Sequence, residues 1–208
     1  MRLMIVVLML AVPLSLARGQ TCHPPYWRWT QKTETDLEGK PAETITVETV
    51  RTTWDTLSWD KRPQFRCAIR AGRELKNYRL TAFVRRVRSE GATKTNPDGD
   101  GDWHIELTDA PDEAITGCMV AEIPPERNGT LFKQARADLL SALGHAALPA
   151  GGEYNPNPPV QVTLVGLAFF DGEHRRAAPD RTKGTQHGRC NLTLWEIHPV
   201  YRVTKPGP

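Results

Sequence analysis

Between Tyr78 and Val203 the hydrophobic period of the chain changes twice, and the order of those changes restricts the fold more than any other feature. "YRLTAFVRRVR" (78–88) alternates apolar and polar residues. "DWHIELTD" (102–109) alternates more cleanly, with Trp103, Ile105 and Leu107 on one face and Asp102, His104 and Glu106 on the other. "GCMVAEIP" is a third strand, stopped by Pro124 and Pro125. "TLFKQARADLLSALGHAAL" then takes a helical period: Leu131, Phe132, Ala135, Leu139, Leu140 and Leu143 form one stripe, with Gly144 as C-terminal cap. Beyond a Pro/Gly/Asn loop (149–159), "VQVTLVGLAFF" reads as a nearly continuous apolar strand. A polar loop (171–189) leads to a fifth strand in "LTLWEIHPVYRV". Three strands, one helix, two strands is the order of a five-stranded OB-fold-like Greek-key barrel with its helix between strands three and four, so a mainly β fold is expected.

In such a barrel strands three and five are parallel neighbours. Cys118 opens strand three and Cys190 immediately precedes strand five, which predicts a Cys118–Cys190 disulfide. Cys22 and Cys67 are then left to pair, tying the N-terminal arm to the segment before the barrel. Disulfides agree with the leader. "MRLMIVVLMLAVPLSLARG" has a basic start at Arg2, an apolar run from Leu3 to Leu16, and small residues at Ala17 and Gly19 where a signal peptidase reads. It is expected to be a signal peptide over 1–19, giving a secreted or periplasmic chain. The run is too short for a good membrane span, and no later stretch offers one.

Residues 20–76 are expected to be an N-terminal extension and 77–204 the barrel. Within the extension, 20–43 read as an extended or loosely held arm. "ETITVETV" (43–50) reads as a short strand, and Thr53 as the cap of a short helix ended by Pro63. Trp54, Leu57 and Trp59 are expected to anchor that segment on the core.

Of 27 Lys and Arg, Arg2 and Arg18 leave with the leader and none of the 24 acids does, leaving 25 bases against 24 acids. A chain so close to neutral has no general attraction for polyanions, and nucleic acid is not an expected partner. The charge is unevenly spread. Lys61–Arg88 holds ten bases and the single acid Glu74, whereas Asp98–Glu113 holds seven acids and no base. The simplest reading is two solvated surfaces that partly neutralise each other. The acidic turn "NPDGDGD" spaces Asp98, Asp100 and Asp102 like a calcium loop. Counted from Asp98, however, Trp103 falls where a glycine is needed and Asp109 where a glutamate is needed. The turn is better read as a hairpin tip with Asp98 and Asp100 facing water.

Four blocks, "DGDWHIELTD", "CMVAEIP", "VTLVGLAFFDGEH" and "LWEIHPVYRV", resemble in the same order D-x-D-x-H-L-V-L, M-I-A-E-I-P, V-T-G-V-G-F-F-D-x-x-H-G-Q and I-E-L-H-P-V, the pattern of a group of exported bacterial proteins of unknown function. The similarity continues upstream through "KTETDLEGK" and "VRTTWDTL". It implies an exported OB-like barrel and carries no activity. The chain departs from the pattern after His174, where Arg175 and Arg176 stand for Gly-Gln.

The polar residues of these blocks are Asp102, His104, Glu122, Asp171, His174, Glu196 and His198. Strand parity puts Asp102 with His104 and Glu196 with His198, and a hairpin between strands two and three brings Glu122 opposite Asp102 or close to it. Asp102, His104, Glu122, Glu196 and His198 are therefore the catalytic candidates, and His104, Glu122 and His198 the metal-ligand candidates. A hydrogen-bonded structural network on the barrel wall is the competing account of the same residues. Candidate binding residues are Arg85, Arg86 and Arg88 on the first strand, with Asp171 and His174. No nucleophile elbow, phosphate-cradling glycine loop or HExxH is present, and no cofactor is expected. The reading is a monomeric, non-enzymatic module for an extracytoplasmic ligand or protein; the alternative is a metal-dependent hydrolase.

Overall fold

The computed structural model describes residues 27–55, 57, 67–91, 99–174, 189–190 and 192–206. Seven strands occur in these segments: β1 Ala42–Ile45, β2 Asn77–Gly91, β3 Asp100–Thr108, β4 Met119–Ile123, β5 Glu153–Tyr154, β6 Val160–Phe170 and β7 Trp195–Thr204. They are joined by three helices, α1 Trp29–Lys32, α2 Val47–Thr53 and α3 Thr130–Leu143. The sheet runs β2–β3–β4–β7–β6 and closes by β6 pairing back onto β2, a five-stranded barrel. α3 lies between the third and fourth barrel strands, where the change of period places it. β1 and β5 stand outside the barrel, each paired to β2.

Closure depends on the length of β2. Its first half, Asn77–Val84, pairs with β6, and its second half, from Phe83 onward, pairs with β3. Register breaks at Val84/Arg86 and Ser89/Gly91 let one strand bend between the two partners. β4 and β7 pair in parallel, Val120 with Glu196 and Ala121 with Ile197. That pairing sets Cys118 beside Cys190, and the two form a disulfide with Cα atoms 4.8 Å apart. The pairing expected of Cys67 with Cys22 involves a residue outside those described.

The barrel interior takes Trp103, Ile105 and Leu107 from β3, Met119, Ala121 and Ile123 from β4, and Ile197, Val200 and Val203 from β7. α3 buries Phe132, Ala135, Leu139 and Leu143, and Gly144 caps it at φ 63°. On β6, Gly166 lies where β7 comes closest. A methyl group there would meet the Pro199 carbonyl, sit 2.7 Å from Ile197 Cγ2 and reach 3.0 Å from Val200 Cα. Two of those atoms are backbone and cannot step aside. Gly166→Ala is expected to cost about 1–3 kcal/mol, read as a lower urea midpoint.

The extension differs from expectation in three places. Only Ala42–Ile45 is a strand; Val47–Thr53 is helical. Thr46 is the N-cap, its Oγ1 accepting from the Thr49 N–H, and Val47 and Val50 are buried three residues apart on one helical face. Thr53 thus ends the helix rather than beginning one. The arm is not loosely held: α1 carries Gln31 and Lys32 into buried positions, and Arg28 before it is buried too. Trp54 packs edge-on against Trp195 and tilted against Tyr78, whereas Leu57 is 40% exposed. Trp59 lies outside the described residues.

Candidate functional site

The polar candidates on β3, β4 and β7 do not meet solvent. Asp102, His104, Glu122, Glu196 and His198 are each no more than 3% exposed, and together they form a charged layer outside the apolar core. Cross-strand register assembles it. His104 stands opposite Glu122, two residues along β3 from Asp102, and Glu196 stands opposite Val120.

Glu122 is the hub. Its Oε1 is 3.1 Å from His104 Nδ1 and its Oε2 is 2.9 Å from His198 Nδ1. The other nitrogen of His198 lies 3.3 Å from Asp102 Oδ2, and Glu196 Oε2 is 3.5 Å from Nδ1. Glu90 reaches to 3.8 Å from His104 Nδ1. Beside this group, His174 Nδ1 sits 3.0 Å from Asp171 Oδ2, and Lys32 Nζ is 3.8 Å from the same oxygen.

Burial and neighbouring charge set opposite protonation preferences within the layer. Burial alone would raise Glu122, but charged His198 and the hydrogen bonds of both histidines hold it well below the usual carboxylate range. Burial likewise opposes a charged His198, yet Glu122 and Asp102 push it well above the ordinary imidazole value. Burial, reinforced by the charge of Glu122, moves Glu196 up to about 7. Burial and the neighbouring Asp102 carry Asp100 to about 8. Against its own burial, His174 is raised to about 9 by Asp171. Asp171 is in turn held well below its ordinary value by His174 and Lys32, although burial alone would raise it.

Asp100 does not face water. It is 9% exposed, and its Oδ1 accepts from the Asp102 N–H at 3.1 Å. Asp98 lies outside the described residues. The two charged stretches neutralise each other in part, but through buried rather than solvated groups. Arg86 pairs with buried Glu106 and, at 3.2 Å, with Glu153, while Arg88 pairs with Glu90. Arg85 donates to the Glu113 carbonyl at 2.7 Å. Asp171 lies in the buried layer, and His174, half-buried, is paired to it. Arg85 does border a groove of about 500 Å³ whose walls include Pro111, Ile115, Asn155, Pro156 and Arg189.

Several members of the layer carry no sequence signal of their own kind. Lys32 comes from the arm, and with Arg28 and Arg70 it packs over the Phe169 ring, at 5.5, 4.5 and 5.6 Å from the centroid. Glu74 did leave a trace, as the lone acid of a basic run: it is the buried partner of Arg28, bonded through both oxygens at 2.8 Å. Of the His, Cys, Asp and Glu groupings close enough to hold a cation, that of Glu106, Cys118 and Cys190 is closed to thiolate ligation, because its sulfurs are bonded to each other.

No protein-family profile matches the chain, and no curated protein or solved structure is significantly similar to it, so the resemblance to exported bacterial proteins rests on its sequence blocks alone.

Proposed function

We propose that the chain is an exported, non-enzymatic binding or interaction module of the OB-fold type, acting as a monomer on an extracytoplasmic ligand. The burial of all five catalytic candidates carries this reading. An acid or base must come within hydrogen-bonding reach of its substrate, and groups no more than 3% exposed offer no approach. Export is supported by the leader and by the Cys118–Cys190 bridge, a bond at home in oxidising compartments. No helix among the described residues is long and apolar enough to cross a membrane.

The face of strands two and three, where barrels of this type take oligonucleotides, carries here a layer of buried acids, which disfavours a polyanion. The groove edged by Arg85 and Arg189 is the better binding face. Its two guanidinium groups suit a ligand bearing a carboxylate or another small anionic group. The test is a turnover screen with ester, phosphoester, peptide and glycoside substrates, each with added Zn²⁺, Mn²⁺ or Ca²⁺. No turnover above a His198→Ala control is expected. Metal-dependent turnover lost in that variant would establish the hydrolase alternative instead.

A further inference from the structure

We infer that Asp102, Glu122 and His198 form a buried site for one divalent cation of the zinc class, held as a resident structural ion. Each offers a ligand atom, and the three atoms lie within 4.8 Å of one another. Two carboxylates and one imidazole form a mixed N/O set that such ions accept.

Proximity of acids alone would not make a site. The second observation is what these atoms lack. Asp102 is fully buried, and among the described residues neither of its oxygens receives an aligned hydrogen bond. His198 Nε2 is 3.3 Å from Asp102 Oδ2 without alignment, while the other ring nitrogen, Nδ1, lies 2.9 Å from Glu122 Oε2. Buried polar atoms are normally satisfied, and a fully buried carboxylate with neither oxygen in an aligned hydrogen bond requires an explanation. A cation supplies one, because it meets lone pairs directly and needs no donor hydrogen. The 3.3 Å between nitrogen and oxygen is also the separation that two ligands adopt around a tetrahedral ion with bonds of about 2.0–2.1 Å.

The surroundings are those of a metal centre. His104 Nδ1, at 3.1 Å, holds the Glu122 oxygen that faces away from His198, as outer groups commonly fix a ligating carboxylate. Burial of the set matches a closed structural site rather than an open catalytic one. The Lys32 ammonium, 3.8 Å from Asp171, also acts on Glu122 and Asp102 and offsets part of their charge. Ion binding displaces the ring proton of His198 to solvent and leaves a neutral imidazole as ligand.

The inference does not depend on the reading of the protein as a binding module. Its test is elemental analysis of protein purified without chelator, followed by thermal unfolding of chelator-treated protein with ZnCl₂, MnCl₂ or CaCl₂. One equivalent of a transition metal is expected. Its return should raise the melting temperature by roughly 5–10 °C once the free ion is about a hundred times its dissociation constant. Asp102→Asn, which keeps the shape and removes the charge, should lose both the ion and the rise, while Glu153→Gln outside the layer should keep them. Should Asp102→Asn fail to fold, Co²⁺ added to the unmutated protein supplies the readout, a visible tetrahedral spectrum removed by Zn²⁺. Metal-free protein whose stability ignores all three ions, or an ion retained in folded Asp102→Asn, overturns the site. Bound metal without turnover leaves the module reading standing, whereas metal-dependent turnover would overturn that reading and keep the site.

Discussion

Glu74→Ala should lower stability by about 3–5 kcal/mol, the usual cost of removing one partner from a buried ion pair. For a domain of this size that is a fall in melting temperature of roughly 6–20 °C. The size follows from what Glu74 holds. Both its oxygens bind Arg28, at 2.8 Å each, and Oε1 also accepts the Phe170 N–H at 2.9 Å. Arg28 is 3% exposed, so truncation strands a guanidinium with no water to replace the carboxylate. Arg28 also donates to the Ala68 carbonyl, so its loss loosens the arm from the strap before β2. The double variant Arg28→Met/Glu74→Met should recover much of the loss, since no bare charge remains, but not all of it, because the Phe170 N–H is still orphaned. Differential scanning calorimetry of the two variants checks both statements. A shift of a degree or two for Glu74→Ala would mean that the pair is not buried.

The barrel was legible because its information is local. Alternation in "DWHIELTD", the switch to a helical stripe at Leu131 and the return to an apolar run at Val160 each concern neighbours in sequence, and β3, α3 and β6 occupy those places. The Cys118–Cys190 bridge was reachable because the barrel order makes β4 and β7 parallel neighbours and so sets the two cysteines side by side. The helix at Val47 was hidden by a coincidence. Ile45 and Val47 imitate a strand, and only the Thr46 cap together with Val47 and Val50 three apart reveals the other period.

What sequence could not supply is the fate of the polar faces. Period two says that Asp102, His104 and Glu106 share a face; water on that face is an assumption, and here Lys32 and Arg189 arrive from distant segments beside it. Arg189 illustrates the difficulty. Its Nε donates to Glu106 Oε2 at 2.9 Å across 83 residues of sequence, a pairing that no spacing rule predicts. The grouping of Asp102, His104, Glu122, Glu196 and His198 was foreseeable from parity; their enclosure was not.

Enclosure has a consequence for acid–base behaviour: with chelator present, stability against urea should peak at about pH 4.5 and fall by on the order of 3 kcal/mol towards pH 8.5. Glu196 at about 7 and Asp100 at about 8 both lie above their unfolded values of 4.5 and 3.8. Between those limits the native state binds more protons than the unfolded chain, so raising the pH destabilises it. His174, raised to about 9, acts in the same direction: its stabilisation is complete below its unfolded value of 6.5 and is lost as the pH climbs through 9. His198 is raised too and shares that sign. Glu122 and Asp171 act oppositely. Their values are lowered, so their stabilisation is complete above the ordinary carboxylate range and is lost only in acid, which sets the lower edge of the optimum. The groups facing Glu196 include Glu122 on β4, Asp171 after β6, His198 on β7 and Lys32 on α1, and the negative charge among them is what resists ionisation at Glu196. Glu196→Gln cannot ionise, so it should flatten the alkaline limb and be more stable than wild type at pH 8.5 while differing little at pH 5. Urea midpoints across pH 3–9 for both proteins decide the matter. At slopes of about 1–3 kcal/mol per molar, the wild-type midpoint should drop by roughly 1–3 M over the alkaline limb, and a level wild-type profile would show that Glu196 and Asp100 ionise as freely folded as unfolded.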